Sequence, residues 1–123
     1  MERTFLVLGA VLAGVAVAAG AFGAHGLRAR LPPEMLAAFE TGVRYHLLHA
    51  LALLGVAWAE TRFPSPAVGV AGWLFVAGVL LFSGSLYLLA LGAPRSLGMI
   101  TPFGGLAFIL GWLALACGGW QGK

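Results

Sequence analysis

Long apolar runs separated by short, turn-rich joints organise the chain. Residues 4–24 form an uncharged stretch of 21 residues after Arg3. About 20 residues at 1.5 Å rise cross the hydrocarbon core of a bilayer, so the pattern predicts a first helix over about 4–25. Pro32 and Pro33 close the following basic connector and open a second helix over about 34–61, with Glu34 in the first turn, where the helix dipole favours negative charge. Between Arg44 and Glu60 only 15 residues lack formal charge. That is short for a span, which places Glu40 and Arg44 at the membrane edge or in a pair along the helix, with Gly42 a candidate break. Ser65-Pro66 and Thr101-Pro102 each read as a cap followed by a first-turn proline. They start helices over about 66–91 and 102–120.

Three short connectors between four runs make neighbouring helices antiparallel. The fold class is therefore an all-α integral membrane protein, a single domain over 1–123, arranged as a four-transmembrane-helix up-down-up-down bundle. Breaks are expected near Pro32, Ser65 and Thr101, with Trp58, Trp73 and Trp120 near helix ends, where interfacial tryptophans gather.

Composition agrees with a lipid environment. The chain is 61% hydrophobic and 9% charged, whereas a soluble domain is about a quarter charged. The net charge of +3 comes from scattered basic residues, which suit membrane edges and headgroups rather than nucleic acid. Arg28, Arg30 and Arg95 mark one end, with Arg44 close by, and Arg3, Arg62 and Lys123 the other; the balance tips the Arg28 end toward the cytoplasm and both termini outside. The expected location is the inner (plasma) membrane. Arg3, the apolar run and Ala16-Val17-Ala18 also resemble a secretory signal, but the run is read as a retained span. Cys117, the single cysteine, is read as a packing residue.

Inside lipid, helices associate through close backbone approach and interhelical hydrogen bonds. Gly14, Gly20, Gly84, Gly104, Gly105 and Gly111 lie on small-residue ridges and are the candidate packing positions. The same ridges also suit a homo-oligomer seam.

Ionisable residues at membrane depth are costly and mark candidate sites. Glu40 and Arg44, four apart, share a helix face and can pair. His46 and His49 lie roughly opposite. His25 ends the first helix and is brought by the short connector toward the second. Its flanking glycines, Gly23 and Gly26, let it pack against the first half of that helix near Glu40, Arg44 or Tyr45. The polar cluster is thus His25, Glu40, Arg44, Tyr45 and His49. Three readings compete: a structural stitch between the first two helices, which is favoured; a proton or metal path; and a headgroup or small-ligand site in which Arg28, Arg30 and Arg44 meet phosphate. Ser83, Ser85 and Tyr87 read as interhelical hydroxyls. Phosphate loops, paired cysteines and HExxH zinc sequences do not occur, so no catalytic residue, metal or cofactor is assigned.

Four segments carry a resemblance: GAFGAHGL at Gly20–Leu27, FETGVRYHLLHALALL at Phe39–Leu54, FSGSLYLLAL at Phe82–Leu91 and MITPFGGLAFILGW at Met99–Trp112. Together they resemble the YgdD-like family of small bacterial membrane proteins, known as domain of unknown function 423, and a related eukaryotic transmembrane family. The resemblance implies a four-helix inner-membrane protein without an assigned activity. It picks out His25, Glu40, Arg44, Tyr45, His49, Ser83, Tyr87 and Pro102, with His46 less secure. The expected function is non-enzymatic, lipid-associated or scaffolding, with membrane lipids as partners; the alternative is a proton or small-ion transporter or channel subunit acting as a homo-oligomer.

Overall fold

Four long helices build the chain, and proline and glycine chemistry sets their ends. The computed structural model describes residues 1–122. Helix α1 is Glu2–Leu27, its last turn, Gly23–Leu27, widened to a π-helical turn. Helix α2 is Pro33–Arg62, α3 is Pro66–Ala90 and α4 is Thr101–Gln121. Pro33, Pro66 and Pro102 each stand in a first turn, where the missing N–H costs no helical bond. Gly92 ends α3 with a φ of 106°; there the Ala93 N–H bonds to the Leu88 carbonyl and the Gly92 N–H to that of Leu89, a Schellman closure. The connector expected after Gly92 contains a 3₁₀ turn, Arg95–Met99. A second π-helical turn, Val79–Ser83, interrupts α3.

Successive helices run antiparallel. Gly9 of α1 lies against Ala50 and Leu54 of α2, while Gly20 and Gly23 face Val43 and Phe39. Gly42 of α2 lies under the Tyr87 ring of α3. Along the α3–α4 seam, Gly104, Gly111 and Gly118 meet Phe82, Phe75 and Val68, and Gly78 meets Phe108. A Cβ on Gly104 would drive into the backbone nitrogen of Phe82, so the seam closes only around a bare backbone.

The expected packing glycines separate by what they meet. Gly104 and Gly111 sit at tight contacts; Gly20 and Gly105 make only ordinary ones. Gly14 faces outward with open space beside it, and Gly84 has no close side-chain neighbour, because a small residue suits a lipid-facing surface as well as a seam. Gly72 and Gly78, also on the α3 ridge, are tight, and Gly9, Gly42 and Gly118 hold tight positions the ridges did not single out. Cys117 is exposed rather than packed.

Two apolar clusters fill the interior. One gathers Phe5, Leu53, Val56, Val68, Phe75 and Phe108; the other gathers Leu27, Phe39 and Ala90 near the end that carries Arg28. The outside is also apolar, with Leu6, Val11, Val17, Leu51, Leu80, Ile109 and Leu113 exposed. So continuous an apolar exterior marks a lipid-facing surface.

Three of the four expected spans, α1, α3 and Arg95–Gln121, are long and apolar enough to cross a membrane. The 30 residues of α2 reach about 45 Å, but its charged residues and two histidines lower its hydropathy. Those histidines are turned inward.

Candidate functional site

The inner seam of α2 runs Phe39, Gly42, His46, His49, Leu53 and Val56, all buried. Its spacing alternates three and four residues, the stripe by which a helix faces a neighbour. Both histidines occupy seam positions and are 3% and 2% exposed, so each needs polar partners inside the protein.

His49 has both. Its Nδ1–H donates to the Tyr45 carbonyl at 2.8 Å, and Nε2 accepts the Trp112 indole N–H at 3.0 Å. These partners select the neutral Nδ1–H tautomer, since a carbonyl can only accept and an indole N–H only donate. The ring stacks on Phe108 at 3.6 Å and 9°, with Phe75 at 5.3 Å. A metal at Nε2 would have to displace Trp112. Among the described residues, no group of three His, Cys, Asp or Glu side chains converges to hold a metal.

His46 is half satisfied. Its Nδ1 shares a 2.8 Å hydrogen bond with the Tyr87 hydroxyl, while its buried Nε2 makes no hydrogen bond among the described residues. The Tyr87 ring passes over Gly42, where any side chain would strike it. One turn earlier, Ser83 donates to the Gly42 carbonyl at 2.7 Å from the π-helical turn of α3. Ser85 bonds Thr101 and so ties α3 to α4. Each hydroxyl therefore has a bond to a neighbouring helix.

Beside His49 a groove of about 670 Å³ runs between α2 and α4. Tyr45, Leu48 and His49 form one wall, Leu106, Ile109 and Trp112 the other, and Phe82 and Phe108 lie between them. Its rims carry exposed apolar side chains, Leu48, Leu106 and Ile109.

The expected cluster of His25, Glu40, Arg44, Tyr45 and His49 is divided. Tyr45 and His49 border the groove. Glu40 and Arg44 are exposed and line a separate recess of about 220 Å³ with Gly20, Gly23, Phe39 and Val43. His25 lies exposed in the π-helical turn at the end of α1, with Arg28 and Arg30 exposed just beyond. It takes part in none of the side-chain hydrogen bonds among the described residues, so no such bond from His25 ties α1 to Glu40, Arg44 or Tyr45. The cause is angular: at 100° per residue, Glu40 and Arg44 point away from the seam that takes His46 and His49. Trp112 and Phe108 escaped the sequence reading, His46 was set aside, and Gly42, expected as a break, lies inside an unbroken α2 against the Tyr87 ring. The three-four alternation through both histidines was the available signal for α2, whereas Trp112 and Phe108 become neighbours of His49 only through the tertiary fold.

Comparison with known proteins points to a family of membrane proteins. The family described as "Protein of unknown function (DUF423)" matches residues 19–105. The UPF0382 membrane protein YwdK of Bacillus subtilis is 47% identical over 114 residues, covering 92% of this chain and 93% of its own. A UPF0382 membrane protein of Haemophilus influenzae is 41% identical over 124 residues, covering 100% and 98%, and one of Staphylococcus haemolyticus is 48% identical over 115 residues, covering 92% of each. No solved structure matches the chain. With a family match across most of its length and full-length relatives that are membrane proteins, the chain belongs to the DUF423 family of membrane proteins.

Proposed function

We propose that the chain is a four-span, non-enzymatic inner-membrane protein that holds membrane lipid, with the α2–α4 groove receiving an acyl chain. The observation that carries this reading is an aromatic groove, rimmed by exposed apolar residues, whose buried polar group is already saturated. His49 is bonded at both nitrogens, so it offers neither a free base nor a metal ligand, while the walls offer apolar contact. In this reading α2 is the fourth span: its histidines are enclosed by α3 and α4, Glu60 and Arg62 fall at its end, and Glu40 and Arg44 lie on the outer face of its first half.

The test is native mass spectrometry of the protein released from membranes. Lipid adducts are expected on the unaltered chain. Gly105→Leu places a side chain in the groove, where a Cβ meets Phe82 at an ordinary 3.8 Å, and is expected to strip lipid without unfolding the protein. Adducts unchanged by groove filling would refute groove binding.

A second reading, passage of protons or a small ion through a homo-oligomer, rests on the buried, unpartnered His46 Nε2. Proteoliposomes carrying the unaltered protein would then collapse a proton gradient, and His46→Phe would abolish the leak.

A further inference from the structure

We infer that the recess between α1 and α2 binds the headgroup of an aminophospholipid, with Arg44 receiving the phosphate and Glu40 the ammonium. This rests on the lipid-holding reading but concerns a different site from the groove. Glu40 and Arg44 stand one turn apart on the outer face of α2 and line the recess together. Neither takes part in the side-chain hydrogen bonds among the described residues. On the α1 side Gly20 and Gly23 line the recess; Gly23 packs closely on the Phe39 ring, and Gly20, without a side chain, leaves the mouth beside Val43 open.

Depth makes the unused charges informative. Helix α1 has 26 residues, about 39 Å at 1.5 Å per residue, against about 30 Å of hydrocarbon. With the excess shared between its ends, Gly20 lies about 6 Å inside the hydrocarbon edge and Gly23 within about 2 Å of it. Gly20 faces Val43 and Gly23 faces Phe39, so Arg44 and Glu40 project toward lipid at those two levels. A lipid-facing charge at that depth is costly without a partner. A guanidinium can extend along its stem to the phosphate layer and grip two phosphate oxygens. Glu40, nearer the edge, then meets a group with hydrogen-bond donors and positive charge. An ammonium beside a phosphate satisfies both. A trimethylated choline has no N–H to give Glu40, and a glycerol headgroup has no charge for it.

The test compares phosphatidylethanolamine, phosphatidylcholine and phosphatidylglycerol with identical acyl chains on the full chain in mixed micelles, read as lipid adducts by native mass spectrometry. The unaltered protein is expected to prefer ethanolamine over choline by about tenfold, the effect of one charge-assisted hydrogen bond. Glu40→Gln is expected to bring that ratio to about one, Glu40→Asp to restore part of it, and Arg44→Gln to weaken all three lipids. Both residues are exposed, and unchanged helicity and melting would show that these variants fold. An ethanolamine-to-choline ratio that Glu40→Gln leaves untouched would overturn the assignment, even if Gly105→Leu still strips lipid from the groove. A dimer that both substitutions dissociate, with adducts unchanged, would assign the pair to a second copy of the chain instead. Displacement of the lipid by soluble O-phosphoethanolamine at equal concentration would overturn the lipid source in favour of the free headgroup. Absence of any adduct would reject the lipid-holding reading itself.

Discussion

The α3–α4 seam and the α1–α2 seam use the same small residues to opposite ends. Between α3 and α4, Gly104, Gly111 and Gly118 meet Phe82, Phe75 and Val68 directly, and Ser85 ties across to Thr101. Between α1 and α2, Gly9 is comparably tight and Gly23 packs closely on Phe39, while Gly20 meets Val43 at an ordinary distance beside the recess. The first seam spends its glycines on close approach throughout, the second leaves space beside Gly20. Glycine therefore has no single meaning in this chain, and what it meets on the neighbouring helix decides its role.

The largest test of that contrast is Gly104→Ala against Gly20→Ala. The first forces α4 away from the Phe82 backbone and is expected to cost about 1–3 kcal/mol, the usual range for overpacking. The second meets Val43 at an ordinary 3.4 Å and gains up to about 1 kcal/mol of helix propensity. Thermal unfolding in detergent would separate them. Equal melting temperatures would erase the distinction between the seams.

The next effect sharpens the role of His49. Trp112→Phe removes the donor to Nε2 and leaves a buried acceptor unpaired, at about 1–3 kcal/mol, moderated toward about 0.6 kcal/mol where the unfolded chain in the membrane finds other partners. Adding His49→Phe removes the orphaned group and is expected to recover part of the loss. A double variant whose loss equals the sum of the singles would show that the imidazole contributes by stacking on Phe108 rather than through this bond. Smaller again is Ser83→Ala, about 0.6 kcal/mol. The Gly42 carbonyl it releases lies mid-helix, where it still accepts its own helical bond.

These comparisons also show what was legible in the residue order. Helix starts were, because Pro33, Pro66 and Pro102 act through their own missing N–H groups, and the end of α3 was, because Gly92 supplies the left-handed residue its closure needs. Such effects stay within a few residues. Glu40 and Arg44 drew attention as charges at membrane depth, yet their direction follows from the seam that carries His46 and His49. Gly14 and Gly104 look alike along the chain; only the neighbour, open space in one case and Phe82 in the other, tells them apart. The hydropathy of α2 is low for a related reason: hydropathy counts a histidine as polar whether it faces lipid or, as here, the interior.

The smallest stability effect is expected for Arg44→Ala. A pair of opposite charges one helical turn apart would cost about 3–5 kcal/mol to break if it were buried. Here both Arg44 and Glu40 are exposed, and neither takes part in the side-chain hydrogen bonds among the described residues. Truncation therefore strands no enclosed carboxylate, and exposed pairs contribute about 0–1 kcal/mol at most. Melting in a neutral detergent is expected to stay within about 0.5 kcal/mol of the unaltered protein, the usual range for surface changes. The effect should appear instead when phospholipid is added: the unaltered chain gains stability with the logarithm of lipid concentration above its Kd, and Arg44→Ala gains less. A fall in melting temperature without lipid, as large as that of Gly104→Ala, would mean that Arg44 holds the α1–α2 seam together, and that the recess beside it is a structural joint rather than a place for a headgroup.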